Sequence, residues 1–250
     1  MLVDPMLSER ASPVDFIGPK RLHPSPIVMA ALPKIDAVVI SHDHYDHLDM
    51  PTIRYLSAKG SQFFVPLGVG AHLQEWQVPT AQITELDWWE SKEILGLKII
   101  STPSRHYSGR TLFDTKATFW SSWSIIGPSH RIYYSGDTGF SDHFQTIGDK
   151  LGPFDLSIIK VGAYGPGASW LDIHMIPEHA IDAHIAVRAR RLLPVHWATF
   201  NLAFHDLDEP IKRALAAAQK HNVDLVTPRI GEVVVAGQPF ESQSWWEQLD

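Results

Sequence analysis

The chain has 250 residues, a formal net charge of -7, and 44% hydrophobic against 20% charged residues, the composition of a soluble globular protein with material for a sizeable core. No basic run suggests a nucleic-acid surface, and the absence of cysteine excludes disulfides, thiolate metal sites and a cysteine nucleophile. Fourteen histidines stand out, so histidine and carboxylate are the strong metal ligands on offer.

Taken in chain order, "MLVDPMLSER" lacks the basic start and apolar segment of a secretory signal. No later apolar run reaches the length of a membrane span, so the expectation is a cytoplasmic protein. Residues 1–34 carry Pro and Gly throughout and read as irregular. Residues 36–41, "DAVVIS", form a short β-branched run that predicts a buried strand. "MPTIRYLSAKG" predicts a helix, with Pro51 in its first turn and Gly60 just past its end. Strands are then predicted at 61–68, 97–104, 118–127, 131–137, 155–164, 192–197 and 231–237. Helices are predicted at 176–190, with Pro177 in the opening turn, and at 208–222, with Asp208 as N-cap. Strands and helices are mixed, with no repeat or linker, which reads as one domain over 1–250.

The chemistry concentrates where predicted strands end. In "VVISHDHYDHLDM" three histidines and three aspartates fall within eight residues, directly behind the buried run. A short loop after a strand can aim His42, His44, Asp46 and His47 into one volume. The alternative is a polar surface loop whose aspartates favour the dipole of the following helix. His106, Asp137 and His196 each sit alone just beyond an apolar strand. Singly each is an ordinary loop residue; together they complete a two-metal set.

These motifs resemble the metallo-β-lactamase-fold hydrolases, whose signature is His-x-His-x-Asp-His followed by a lone His, a lone Asp and a last His. The segments "RHYSGRTLFDTKATFWSSW", "SGDTGFSDHF", "VGAYGP", "IHMIPEHAIDAH" and "PVHWATFNLAFHDLDEP" make it similar to the branch containing N-acyl-phosphatidylethanolamine-hydrolysing phospholipase D. The resemblance runs from Leu2 to about His221 and implies an α/β protein of four αββα layers. It also implies two zinc ions per chain, with iron or manganese as alternatives for these ligand types. His42, His44 and His106 would hold one metal, Asp46, His47 and His196 the other, and Asp137 would bridge them together with a hydroxide. Asp4 would orient a ligand histidine, and equally reads as a turn aspartate before Pro5. Tyr164, Trp170 and His174 would lie at the substrate, although His174 also reads as a histidine flanking a helix. On this pattern Asp46, Asp137, His174 and Asp4 carry the catalysis. The implied reaction is hydrolysis of a phosphodiester in a phospholipid-like substrate.

Two departures from the branch qualify that expectation. Two or more strands usually precede the early aspartate, whereas here "MLVDP" offers only a stub, so the first sheet is expected to be short, with an edge open to homodimerisation. The branch usually has an acidic residue and an arginine where this chain has Gly165 and Gly167, which removes a phosphate-reading cation. Three readings follow: a phospholipase D-like enzyme with a lipid substrate and peripheral membrane contact, a lactonase or small-molecule phosphodiesterase with the same site, and an inactive metal-binding fragment.

Overall fold

The computed structural model describes residues 1–235 and 237–248. Strands β1 (Leu2–Val3), β2 (Ala37–Val39), β3 (Gln62–Pro66) and β4 (Ile83–Leu86) form a parallel sheet in that order. Strands β5 (Ser91–Ile94), β6 (Leu97–Thr102), β7 (Ser122–Ile126), β8 (Arg131–Tyr134), β9 (Phe154–Lys160), β10 (Ala189–Val195) and β11 (Asp224–Leu225) form a second sheet in sequence order. It is antiparallel from β5 to β8 and parallel from β8 to β11. Helices are α1 (Met50–Ala58), α2 (Val69–Glu75), α3 (His143–Leu151), α4 (Ala168–Leu171), α5 (Pro177–Ala186) and α6 (Glu209–His221).

Side-chain alternation along the strands builds four layers. Val38, Phe63 and Val65 point outward from the first sheet and pack on Ile53 and Leu56 of α1 and on Val69 and Leu73 of α2. Ala37, Val39 and Phe64 point the other way and meet Ile99, Trp123 and Tyr134 of the second sheet. Tyr133 and Ile159, on the far face of that sheet, pack on Phe144 of α3, Ile181 of α5 and Ile211 of α6. The order is the expected αββα. Because β2 and β3 are covered on both faces, they read as unbroken apolar runs.

Topology also fixes where the site lies. β6 is antiparallel to β7, and β7 to β8, so β6, β8, β9 and β10 all run the same way. The segments that follow Thr102, Tyr134, Lys160 and Val195 therefore leave the sheet at one edge.

Some expectations need correction. The helix predicted over 176–190 ends at Ala186; Arg188 turns at φ 60 and Ala189 already pairs in β10. The described part of 231–237 is not a strand: Val233 is 77% exposed, with no neighbouring strand to bury it. Ala236 of that run lies outside the described residues. Asp208 makes no side-chain cap bond and instead pairs with Lys212 at 2.5 Å. No helix among the described residues is long and apolar enough to cross a membrane.

Candidate metal centre

The loop after β2 carries the dense ligand stretch, and the ends of β6, β8 and β10 bring the three lone residues to it. His42, His44 and His106 form one set of converging donor atoms; Asp46, His47, Asp137 and His196 form an adjoining one. In the first, His44 Nδ1 lies 2.8 Å from His42 Nε2 and 3.3 Å from His106 Nε2. In the second, His196 Nε2 is 3.0 Å from Asp46 Oδ2 and 3.2 Å from His47 Nε2. Asp137 stands between the sets, its Oδ2 3.5 Å from His47 Nε2 and 3.9 Å from His106 Nε2, and its Oδ1 3.5 Å from His196 Nε2. Gly136 precedes it at φ 54, and a Cβ there would lie 2.5 Å from Ser41 Cβ, so the backbone can pass this close to the ligand loop only as glycine.

Three rings are held from behind. His47 Nδ1 donates to Asp4 Oδ2 at 2.6 Å, His106 Nδ1 to the carbonyl of Ile173 at 2.9 Å, and His42 Nδ1 to Ser41 Oγ at 2.9 Å. Each turns its Nε2 towards the centre, the orientation a metal-ligating histidine needs. Asp4 is the hub of this support. It also accepts from Ser41 N and Oγ and from the Tyr134 hydroxyl, from a backbone at φ 38.

Burial, and then neighbouring His47, His44 and His106, push His42 well below the ordinary imidazole range. Burial pushes His106 down to about 3. Both rings are therefore neutral near pH 7. Burial alone would raise the Asp46 and Asp137 carboxyls, but the charges of His47 and His196 hold both well below the usual carboxylate range. Burial would lower His47, and Asp46 and Asp137 outweigh it and hold that ring well above its ordinary value. Asp137 Oδ1 and His196 Nδ1 are buried without a hydrogen-bond partner among the described residues. The neutral His42 and His106 imidazoles, beside an ionised carboxylate with a free oxygen, make a donor set that fits a divalent metal ion.

The residues expected at the substrate divide. His174 comes to the centre, its Nδ1 3.7 Å from Asp137 Oδ2. Trp170 packs 5.7 Å from the His174 ring, and its indole fills the space above Gly165, where a Cβ would come within 2.5 Å of it. Tyr164 turns away: its hydroxyl donates to Glu209 at 2.7 Å and its ring stacks on His205. Glu209 and Glu178 are both held by Arg213, so Tyr164 belongs to a polar clamp between α5 and α6.

Three contributors were not singled out from sequence. Asp43, inside the motif, accepts from Gly109 N and Thr118 Oγ1 and ties the ligand loop to residues 108–118. Tyr134 supports Asp4. Lys160 ends β9 with its Nζ 2.8 Å from His174 Nδ1. The visible trace of Lys160 was a single lysine inside the apolar run "LSIIKVGAY".

Residues 1–197, which include every residue of both donor sets, match the family described as the β-lactamase superfamily domain. The chain belongs to this superfamily. An uncharacterized protein of Mycobacterium tuberculosis is 48% identical over 250 residues, 98% of this chain and 66% of its own length. N-acyl-phosphatidylethanolamine-hydrolyzing phospholipase D 1 of Caenorhabditis elegans is 36% identical over 247 residues, 93% of this chain and 69% of its own. The isothiocyanate hydrolase from Delia radicum gut bacteria shares the superfamily fold, with a TM-score of 0.70 at 20% identity over 94% of this chain and 92% of that one. The chain thus spans about two thirds of the length of the mycobacterial relative. Its His/Asp cluster is compatible with the metal site of a metal-dependent hydrolase of this superfamily.

Proposed function

We propose that the protein is a dinuclear zinc-dependent phosphodiesterase acting on phospholipid-like substrates. The observation that carries this reading is the pair of adjoining donor sets with Asp137 between them. His42, His44 and His106 would hold one metal ion, and Asp46, His47 and His196 the other. Bound there, the ions would polarise the scissile group and acidify a water near neutral pH. The chain's own part is to keep the Nε2 atoms of His42, His47 and His106 aimed inward, through Ser41, Asp4 and the Ile173 carbonyl.

The likeness to the nematode phospholipase D supports a phosphodiester in a lipid. So does a cavity of about 350 Å³ that joins Asp46, Asp137 and His196 to the apolar side chains of Met6, Phe200 and Leu202. Such a cleft suits a substrate with a charged head and an apolar body. Contact with a lipid surface would fall to loop side chains such as Leu112 and Phe113, which are 91% and 96% exposed.

A second reading, hydrolysis of a small soluble ester or phosphodiester at the same site, is favoured by Trp170. Its indole fills the space above Gly165, in the loop whose Gly167 stands where the branch usually has its arginine.

The test is metal content per chain, with hydrolysis of N-acyl-phosphatidylethanolamine vesicles and of bis(p-nitrophenyl) phosphate, using His44→Ala as control. Two zinc ions and turnover of both, lost in the variant, is the expected result. Turnover of the soluble ester alone selects the second reading. Bound metal without any turnover refutes both and leaves a metal-binding fragment.

A further inference from the structure

Lys160 is the one lysine or arginine among the buried described residues, 1% exposed at the end of β9. Pairing with Val195 of β10 sets it beside the strand that leads to His196. Its side chain makes one hydrogen bond among the described residues, 2.8 Å from Nζ to His174 Nδ1. An ammonium has hydrogens to give and no lone pair, so in this contact the imidazole nitrogen accepts. Asp137 Oδ2, at 3.7 Å from the same nitrogen, is too far away to compete. A neutral imidazole whose Nδ1 lone pair is engaged carries its proton on Nε2.

The neighbouring ring is set the opposite way. His106 and His174 lie 5.0 Å apart, and His106 donates its Nδ1 proton to the Ile173 carbonyl, which leaves Nε2 bare. A carbonyl behind one ring prepares a metal ligand. An ammonium behind the other prepares a hydrogen-bond donor and occupies the His174 nitrogen that would otherwise join His106 and Asp137 as a third ligand. His174 is also fixed in place: its backbone N bonds the Trp170 carbonyl at 2.7 Å, and the Trp170 indole lies against its ring. About a tenth of its side chain stays open, and its Nε2 has no partner among the described residues.

We propose that Lys160 is a positioning residue: by donating to His174 Nδ1 it fixes the ring as the Nε2–H tautomer, so that His174 offers a hydrogen bond to an anionic oxygen of the substrate beside the donor sets. This rests on the hydrolase reading above. It assigns the task of reading substrate charge to a buried lysine acting through a histidine, in a chain that has Gly167 where its branch usually has arginine.

The test uses the zinc-loaded protein with ¹⁵N-labelled histidine, the His174 signals being identified by their loss in His174→Gln. Long-range ¹H–¹⁵N correlation is expected to show His174 protonated at Nε2 and bare at Nδ1. A proton on Nδ1, or on both nitrogens, overturns the proposal whatever the activity. Lys160→Met is expected to lose the single tautomer and to lower kcat on bis(p-nitrophenyl) phosphate by about 10–100-fold, the scale of a lost hydrogen bond to developing charge, with KM and zinc content little changed. Lys160→Arg keeps a donor and is expected to restore the tautomer and most of kcat. A Lys160→Met protein with wild-type tautomer and kcat overturns the assignment; if that variant does not fold, the wild-type spectrum and Lys160→Arg decide. Wild-type protein inactive on the phosphodiester refutes the functional reading instead, and the spectrum of the same sample still decides what Lys160 does.

Discussion

Asp4 shows how much can rest on one residue outside the ligand set. Its side chain is 5% exposed and receives four donors, from Ser41 N, Ser41 Oγ, His47 Nδ1 and Tyr134 OH. Asparagine tolerates the same positive φ, so Asp4→Asn leaves the backbone unstrained. The amide nitrogen, however, must face one of those donors, and His47 loses a charged partner for its Nδ1 proton. Asp4→Asn is expected to weaken metal affinity by about 10–100-fold while the protein stays folded. Competition with a chromophoric chelator measures this; equal affinity in the two proteins would mean that Asp4 is a turn residue only. The candidate ligands were legible because His42, His44, Asp46 and His47 share one stretch, and His106, Asp137 and His196 each follow an apolar run. Tyr164 was placed with the substrate because its segment matches the branch, but which way a side chain turns depends on partners such as Glu209 and Arg213, far away in sequence. The sequence does not mark Lys160 for the same reason, since His174 is its partner only through the fold.

At the level of elements, legibility followed burial. Strands β2, β3 and β9 lie inside their sheets and read as apolar runs. Strands β4 and β5 are sheet edges, and their exposed Glu85, Lys92 and Glu93 hide the pattern, as expected where an edge faces water. α3 sets Phe144, Ile147, Gly148 and Leu151 against the core at helical spacing, but over only nine residues, a window too short for the period to stand out. α5 carries a pH-sensitive contact of its own. His184 is 3% exposed, its Nδ1 lies 2.8 Å from Ser157 Oγ of β9, and burial pushes it down to about 4. Its folded value lies below the ordinary 6.5, so between those two values the unfolded chain binds a proton that the fold excludes. The stability linked to His184 is fully present above pH 6.5 and declines as the pH falls towards 4, by an amount on the order of 3 kcal/mol. His184→Gln keeps a polar partner for Ser157 and removes the titration. Its urea midpoint is expected to fall less steeply with acid over that window; parallel pH profiles for the two proteins would refute this.

Across the whole molecule, the donor sets join two halves that otherwise meet through a modest apolar layer and hydrogen bonds such as those of Tyr134 to Asp4 and Trp123 to the Ile40 carbonyl. His42, His44, Asp46 and His47 follow β2 of the first sheet, whereas His106, Asp137 and His196 follow β6, β8 and β10 of the second. The inter-sheet core between them consists of Ala37, Val39, Phe64, Leu86, Ile99, Trp123 and Tyr134. Without a cation, the ionised Asp46 and Asp137 lie together, compensated by histidines and by the Lys160 ammonium. A divalent ion would neutralise that charge and hold the sheets to each other, and a ligand that binds only the folded state adds its binding free energy to stability. At free metal near a thousand times its dissociation constant the gain is about 4 kcal/mol, or roughly 8–16 °C in Tm for a chain of this size. Chelation should therefore lower Tm by about that much, and zinc should restore it. His44→Ala, which removes one ligand from the first set, should shrink the difference. A melting curve that chelator and zinc both leave unmoved would mean that the apolar layer and the hydrogen bonds across it hold the two halves, and that the convergence of these donor groups contributes nothing to the stability of the fold.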